Sequence, residues 1–273
     1  MTLVMALKWL MGDGEALLMA SDSRVSVGRL TYEVRKIHPV VLASGEEQVP
    51  LAIAGGAGDA SLVKQGFRVS ERVLLERAEG EWGSRTPSFE EFEEAVSEVE
   101  SRLISRFRSL REAGIEPDFQ MVLGSVDPSG RASLYLFDSR GLAEPVHDNP
   151  GFTVIGSGFF TGGMLLLKLL GYSPAASRGM DLGVLTAFVI DLVSEVDAAV
   201  GAFVGESWLM RAEDGRVLLG PLKEEAYKEY KGKVGTRREL IKLVWAACDR
   251  LGEDKVYALV RELLAKESGR AEA

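Results

Sequence analysis

Two pairs of helices interrupt a chain that otherwise has the two-residue period of β-strands. Residues 2–9 and the segment "ALLMASDS" flank "MGDGE", which predicts a β-hairpin with its turn at Asp13-Gly14. The segments "KIHPVVLA" and "VPLAIAGG" predict two further strands before the first helices begin. Because consecutive helices can cover one face of an antiparallel sheet, this order predicts two stacked sheets between outer helical layers.

The first helix pair is marked by residues that begin helices. Asp59 is predicted to cap the helix in "GDASLVKQGFRVSERVLLER", and Ser88 and Glu91 form the pattern of a capping box for the next helix. The apolar side chains of that second helix recur at helical spacing, at Phe89, Phe92, Val96, Val99, Leu103, Phe107 and Leu110. We therefore predict two amphipathic helices that pack one face on a sheet.

The strand period returns after these helices and is followed by a second helix pair. The segments "FQMVLGSV", "RASLYLFD" and "AEPVH" predict a β-meander, and "FTVIGSG" predicts one more strand. The segments "FFTGGMLLLKLL" and "DLGVLTAFVIDLVSEVD" predict two helices before a last hairpin turned at Asp214-Gly215. The fold class expected is α+β, a four-layer αββα sandwich over residues 1–220 with a C-terminal helical extension over residues 221–273.

Composition excludes several classes of function. The net charge of −9 and the pI near 5.0 argue against nucleic acid or an anionic membrane as a partner. Apolar runs are too short for a membrane span, and the N-terminus lacks the pattern of a signal peptide, so we expect a cytoplasmic protein. One cysteine and two histidines leave little material for a disulfide framework or a metal site, and no cofactor or metal is expected.

Thr2 is a candidate catalytic nucleophile, because removal of Met1 would expose a hydroxyl and an α-amine on one residue. This pair is a known activated nucleophile, and an unperturbed α-amine has a pKa near 7.7–8.0, which suits a base at neutral pH. Asp22 in "SDSR" and Lys36 in "VRKIH" follow in the next strands. Taken singly, these residues also fit a surface ion pair and a lysine at a strand edge.

Taken together and in order, the motifs resemble one family. Thr2, "SDSR", the lysine one strand later, "AIAGGAGDA", "GSG" before a helix and an aspartate after the helix pair resemble the proteasome β-subunits. These are N-terminal nucleophile (Ntn) hydrolases, a family that also includes HslV-type protease subunits and Anbu-like relatives. The similarity extends over about residues 2–220, and the αββα fold of the family agrees with the predicted order of elements.

The resemblance implies catalytic roles for four of these positions. Thr2 would be the nucleophile once Met1 is removed, with its own amine as the proton acceptor. Asp22 matches the aspartate that pairs with the catalytic lysine, and Lys36 matches that lysine. Gly55 matches the glycine whose backbone N–H forms the oxyanion hole, a type of donor worth about 3 kcal/mol of barrier.

The resemblance also implies supporting and substrate-binding roles. Ser157 matches a serine near the nucleophile, and Asp197 matches the aspartate that orients this serine. The backbone at Ser26 and Ala57 would pair with an extended substrate as an added strand, and Ile53 would form the floor of the primary specificity pocket.

One position departs from the family pattern. Val200 lies where the family usually has a serine, three residues after the second aspartate. This departure removes one hydrogen-bond partner from the surroundings of the N-terminal amine, but it leaves Thr2, Asp22 and Lys36 in place.

The function that these residues imply is a threonine-type peptidase subunit that acts on a peptide or an unfolded-protein substrate. The family works as rings or other homo-oligomers, and an ATP-dependent unfoldase is a partner that the resemblance allows. Two alternatives stay open at this point. One is a catalytically silent assembly subunit, against which stands the presence of all three central residues. The other is a transpeptidase, in which an amine captures the acyl-enzyme on the same threonine.

Overall fold

A computed structural model describes residues 2–22, 24–27, 30–33, 35–44, 47–202 and 204–271. Met1, which the predicted chemistry requires to be removed, lies outside these residues. The chain divides into two compact units, Met1–Tyr227 and Lys228–Ala273. The boundary predicted from the sequence, between residues 220 and 221, lies near this division and stays a prediction.

Apart from the short strands Arg24–Val27 and Leu30–Glu33, the elements follow one another in the order that the sequence predicts. The strands are β1 (Val4–Met11), β2 (Gly14–Asp22), β3 (Arg24–Val27), β4 (Leu30–Glu33), β5 (Ile37–Ser44), β6 (Glu47–Gly58), β7 (Phe119–Val126), β8 (Ala132–Phe137), β9 (Ala143–Pro145), β10 (Phe152–Ile155), β11 (Val204–Glu213) and β12 (Arg216–Pro221). The α-helices are α1 (Ala60–Gly80), α2 (Phe89–Glu112), α3 (Met164–Leu169), α4 (Leu182–Val196), α5 (Glu224–Leu251) and α6 (Glu253–Ala271).

Two antiparallel five-stranded sheets form the centre of the first unit. One sheet has the strand order β10-β1-β2-β11-β12, and the other has the order β5-β6-β7-β8-β9. Side chains from β1, β2, β6 and β7 meet in a buried apolar cluster that contains Val4, Met19, Ile53 and Val122. The two sheets are therefore stacked face to face, as in sandwiches whose inner faces share one core.

The helices cover the outer faces of the two sheets. Apolar side chains of α1 and α2 pack on β6 and β7, with Phe107 in edge contact with Phe119 at 4.9 Å between ring centroids. On the other side, α4 packs on β1 and β2 through buried residues such as Leu185 and Val189. The layers are thus helices, sheet, sheet, helices, which confirms the predicted αββα class.

The predicted local signals explain where several elements begin. The Asp59 carboxylate accepts hydrogen bonds from the backbone N–H groups of Ser61 and Leu62, and so caps α1. Ser88 and Glu91 form the predicted capping box of α2. The first hairpin turns at Gly12 and Asp13, one residue earlier than predicted, because Gly12 adopts a φ of +58° and Gly14 already pairs with Met11.

Two details differ from the sequence-based expectation. The segment predicted as one helix from Phe159 begins as a π-helical turn, Phe159–Gly163, and becomes α-helical only at Met164. Gly162 has a φ of +126°, which breaks the regular helix. In addition, β3 and β4 form a small two-stranded sheet that the sequence did not indicate.

The second unit contains α5 from Lys228 onward and the whole of α6. Many of its large apolar side chains are exposed, among them Leu243, Trp245, Leu263 and Leu264. In the described part of the chain, no helix is both long enough and apolar enough to cross a bilayer.

Candidate active site

The carboxylate of Asp22 holds the first residues of the chain and Lys36 together. Its Oδ1 accepts hydrogen bonds from Thr2 Oγ1 at 3.1 Å and from the Leu3 backbone N–H at 2.8 Å. The same oxygen lies 2.7 Å from Lys36 Nζ. We call Thr2, Asp22 and Lys36, with the Leu3 and Gly201 backbone N–H groups, the Asp22 cluster. The structure therefore brings together the three residues that the sequence places at the centre of the chemistry.

The position of Asp22 follows from the first hairpin. Val4 pairs with Ser21 in the β1–β2 ladder, so the end of β2 lies beside the residues that precede β1. The Asp22 backbone N–H donates to Leu3 O at 3.2 Å, which extends this pairing to the N-terminal residues. The register of this hairpin therefore places Asp22 beside Thr2.

Burial makes the contacts of Asp22 strong. The Asp22 side chain is fully buried, and Thr2 and Lys36 are each 4% exposed. A buried carboxylate is costly unless it is paired and hydrogen-bonded. Here its second oxygen, Oδ2, accepts the Gly201 backbone N–H at 2.8 Å, so both carboxylate oxygens have partners.

The Gly-rich turn after β10 packs closely on Thr2. The Gly158 N–H donates to Thr2 O at 3.2 Å. A Cβ on Gly156, where φ is +88°, would lie 2.1 Å from the same carbonyl oxygen. Glycine is required at this position both for its backbone conformation and for this close approach. The turn thus fixes the backbone of the predicted nucleophile.

Gly55 lies in β6 next to the backbone of Lys36. It pairs with Ile37 in the β5–β6 ladder, and the neighbouring Gly56 N–H donates to Lys36 O at 3.0 Å. A Cβ on Gly55 would lie 2.7 Å from Val4 Cγ1, so only a glycine lets β6 approach β1 here. The role of its N–H in an oxyanion hole stays a proposal.

Ser157 and Asp197 are linked through Thr161 rather than directly. Thr161 Oγ1 lies 3.2 Å from Ser157 O and 3.3 Å from Asp197 Oδ2, so its one proton is shared between two acceptors. Asp197 Oδ1 accepts the Ala199 N–H at 2.9 Å. Within the described residues, Ser157 Oγ is buried and has no hydrogen-bond partner. We call Ser157, Thr161 and Asp197 the Ser157 cluster; in it, the predicted orientation of the serine by the aspartate is not a direct contact.

The three predicted substrate-binding residues lie in different settings. Ala57 is in β6 opposite Gln120 and is almost fully buried. Ile53, four residues earlier, is fully buried in the core between the sheets. Ser26 lies in β3, where it pairs with Thr31 of β4. Their roles in substrate recognition remain predictions.

Three residues of the site were missed in the sequence analysis. Gly201 contributes its N–H to Asp22, Thr161 contributes a hydroxyl to Asp197, and Gln120 Oε1 accepts the Gly156 N–H at 2.9 Å. Gly201 and Thr161 stand close to predicted motifs, so the "VG" and "FFTGG" segments carry a local signal for them. Gln120 acts across the sandwich from β7, and no local pattern indicates it.

Other candidate centres are distinct from this arrangement. A cavity of about 250 Å³ lies between α1 and α2 and is lined by Arg68, Arg72, Arg102 and Arg106 over an apolar floor. None of the predicted site residues lines it. In the part of the chain that the structure describes, histidine, cysteine and acidic side chains form no group able to hold a metal ion.

Similarity to known proteins is found in the structure of this chain but not in its sequence. The sequence matches no protein-family profile and no curated protein sequence. The structure is similar to that of an Anbu (Gly-1) mutant from Hyphomicrobium sp. strain MC1, with a TM-score of 0.64. The match covers 90% of this chain and 97% of that chain, at 16% sequence identity.

Anbu-like proteins are among the relatives in the proteasome-like family that the motifs of this sequence resemble. The chain therefore has the fold of the proteasome-like Ntn hydrolases, and the resemblance drawn from its motifs is confirmed at the level of the fold.

Proposed function

We propose that the chain is a threonine-type peptidase that uses Thr2 as an N-terminal nucleophile after removal of Met1. The observation that carries this proposal is the buried Asp22 carboxylate, which contacts both Thr2 Oγ1 and Lys36 Nζ. A structural ion pair needs no hydroxyl at the second residue of the chain, whereas a threonine-type Ntn hydrolase requires one there as its nucleophile. The Anbu-like fold supports the same conclusion.

The proposed reaction follows from the groups available. The α-amine of Thr2 takes the proton of Oγ1 as this oxygen attacks the carbonyl carbon of the scissile bond. The Gly55 N–H stabilises the oxyanion, and the resulting ammonium gives its proton to the departing amine. A water molecule, deprotonated by the same amine, then hydrolyses the ester and frees Thr2. The charge of Lys36 stabilises negative charge on Oγ1 throughout.

Homo-oligomeric assembly belongs to the same proposal. The resemblance to proteasome β-subunits implies rings or related assemblies of peptidase subunits. Large apolar side chains are exposed on both α5 and α6, among them Trp245 and Leu263, and burial of such side chains on association would favour self-association. Light scattering of the purified protein should give a mass at least twice the 29.6 kDa of one chain, and a mass near 29.6 kDa would contradict self-association.

Peptide hydrolysis tests the proposal directly. A panel of fluorogenic peptides with different residues before the cleavage site should yield turnover with the wild-type protein and none with Thr2→Ala. Thr2→Ser keeps a hydroxyl and should retain part of the activity. A panel that gives equal turnover with wild type and Thr2→Ala would contradict the proposal. Adding an amine nucleophile to the assay shows whether hydrolysis or peptide ligation dominates.

A further inference from the structure

Glu206 binds the backbone at the position of Lys36. Its Oε2 accepts hydrogen bonds from the Lys36 N–H at 3.3 Å and from the Ile37 N–H at 3.2 Å. Its other oxygen, Oε1, accepts the indole N–H of Trp208 at 3.0 Å. Both oxygens of the half-buried Glu206 carboxylate thus accept hydrogen bonds. Two of the three donors are the backbone N–H groups of Lys36, which precedes β5, and of Ile37, which begins it.

This contact joins the two sheets beside the Asp22 cluster. Glu206 is in β11, which belongs to the sheet of β1 and β2, whereas Ile37 begins β5 in the opposite sheet. The β2–β11 register shifts between Val204 and Glu206, so the strand is irregular where it passes Asp22 and Ser21. An irregularity of this kind re-aims a side chain, and here the Glu206 side chain reaches across to the other sheet.

Lys36 needs such an anchor, because β5 begins only after it. The Lys36 carbonyl is held by the Gly56 N–H at 3.0 Å, and the Lys36 N–H is held by Glu206. The two contacts together fix the peptide groups on both sides of the Lys36 Cα. The side chain then extends from a fixed point to Asp22 Oδ1 at 2.7 Å.

We propose that Glu206 is a positioning residue: by binding the backbone of Lys36 and Ile37 it sets where the Lys36 ammonium meets Asp22 and Thr2. This inference rests on the proposed function for its catalytic consequence. Misplacement of a reacting group by about 1 Å can cost about 10²-fold in rate. Trp208 acts one step further away, because it orients Glu206.

Replacing Glu206 by glutamine tests the geometry through its hydrogen bonds. Glutamine has one acceptor oxygen and one NH₂ donor, so it cannot accept from the backbone pair and from Trp208 on separate oxygens. If its oxygen faces Lys36 and Ile37, its NH₂ group meets the indole N–H donor to donor. Glu206→Gln should therefore lower kcat about tenfold while KM changes less than about twofold, as expected for displaced catalytic geometry.

A second substitution should rescue the first. Trp208→Phe removes the opposing donor, so the Glu206→Gln/Trp208→Phe double variant should recover most of the kcat that Glu206→Gln loses. Trp208→Phe alone should cost less than Glu206→Gln. A role of Glu206 in stability alone predicts instead that the thermal midpoint falls in Glu206→Gln while the kcat of the folded protein stays at the wild-type value in all three variants. Glu213→Gln, on the same strand and paired only with Arg211 among the described contacts, is the matched control and should keep the wild-type kcat.

A crystal structure of Glu206→Gln separates this inference from the proposed function. The inference predicts that Lys36 Nζ moves beyond hydrogen-bond distance of Asp22 Oδ1. An unchanged Lys36–Asp22 contact, a wild-type kcat in Glu206→Gln or the absence of rescue in the double variant would overturn it. A wild-type protein that hydrolyses no peptide would instead overturn the proposed function, and the position of Lys36 in the crystals would still decide the role of Glu206.

Discussion

The Asp22 cluster includes the Thr2 side chain and the Ser157 cluster adjoins the turn that contacts the Thr2 backbone, and the two differ in how tightly their groups are connected. In the Asp22 cluster, one buried carboxylate accepts from Thr2, Leu3, Lys36 and Gly201 at 2.7–3.1 Å. In the Ser157 cluster, a single Thr161 proton serves two acceptors at 3.2 and 3.3 Å. The hydroxyl of Ser157 has no partner among the described residues.

The difference indicates where the site is preorganised. Charge-assisted bonds to a buried carboxylate are about twice as strong as neutral ones, and they fix both the hydroxyl and the ammonium. Residue 200 lacks the hydroxyl that the family pattern places there, and Thr161 is the hydroxyl that contacts Asp197. We therefore expect activity to depend steeply on the Asp22 cluster and weakly on the Ser157 cluster.

The largest expected effect is that of Lys36→Met. Loss of the ammonium should lower kcat by about 10³-fold, the upper end of the effect of removing one group that stabilises developing negative charge. It should also cost about 3 kcal/mol of stability, because Asp22 is left buried without its cation. Steady-state kinetics and thermal unfolding measure the two losses.

Lys8→Met provides the matched control for this variant. Lys8 is 5% exposed and pairs with Glu15 at 2.6 Å, at the far end of the same hairpin. It should lower stability comparably but leave kcat unchanged. If the two variants lost activity to the same degree, the Asp22 cluster would have a structural role only.

Gly156→Ala should have the next largest effect. An added Cβ would lie 2.1 Å from Thr2 O, so the turn or the N-terminal residues must move. A shift of this size should lower kcat by about 10²-fold. Gly171 also has a positive φ, of +75°, but open space surrounds the added Cβ. Gly171→Ala should therefore lose only about 1–2 kcal/mol of stability through backbone strain and keep the wild-type kcat. Equal kcat in the two variants would argue against a role of the turn in placing Thr2.

Asp197→Asn should have a small effect. The amide keeps an oxygen for the Ala199 N–H and can donate to Thr161, so the contacts change in direction but not in number. We expect kcat to fall less than about fivefold, measured against Asp181→Asn at the N-cap of α4, where asparagine caps as well as aspartate. A loss of about 10³-fold would place the Ser157 cluster beside the Asp22 cluster in importance.

Val200→Ser, which restores the family's serine, should have the smallest effect on activity. Val200 is fully buried in the apolar cluster between α4 and the first sheet, so a serine hydroxyl there costs about 1–3 kcal/mol of stability. We expect kcat to change less than about twofold, whereas Val196→Ser, at a position 70% exposed, should leave stability unchanged. A marked gain in kcat would show that the missing hydroxyl limits the activity of the wild-type protein.

The sequence predicts the fold well because its signals are local. Asp59, Ser88 and Glu91 cap the helices at which they were placed. The last hairpin turns at Asp214-Gly215 as predicted, and the first turns one residue earlier than predicted. The contacts of Thr2, Asp22 and Lys36 agree with the pairing that their motifs imply. Gly162, which breaks the predicted helix, shows the limit of this reasoning, because a glycine inside an apolar stripe does not reveal its φ.

What the sequence did not predict depends on contacts between distant strands. Gln120 of β7 and Glu206 of β11 reach the site across the sandwich, 36 and about 170 residues from the backbone groups that they bind. Their orientation depends on strand register and on an irregularity in β11, neither of which a residue pattern specifies. Thr161 could have been suspected from the missing serine at residue 200, yet its contact with Asp197 depends on the path of the π-helical turn.

The mass of the intact protein before and after treatment with a peptide epoxyketone tests the central claim most directly. This reagent requires a free N-terminal amine and the adjacent hydroxyl on one residue. If Thr2 is the nucleophile, Met1 is lost, the wild-type protein gains one adduct per chain and Thr2→Ala gains none. A retained Met1 with no adduct, or an adduct that persists in Thr2→Ala, would contradict the assignment of Thr2 as the nucleophile.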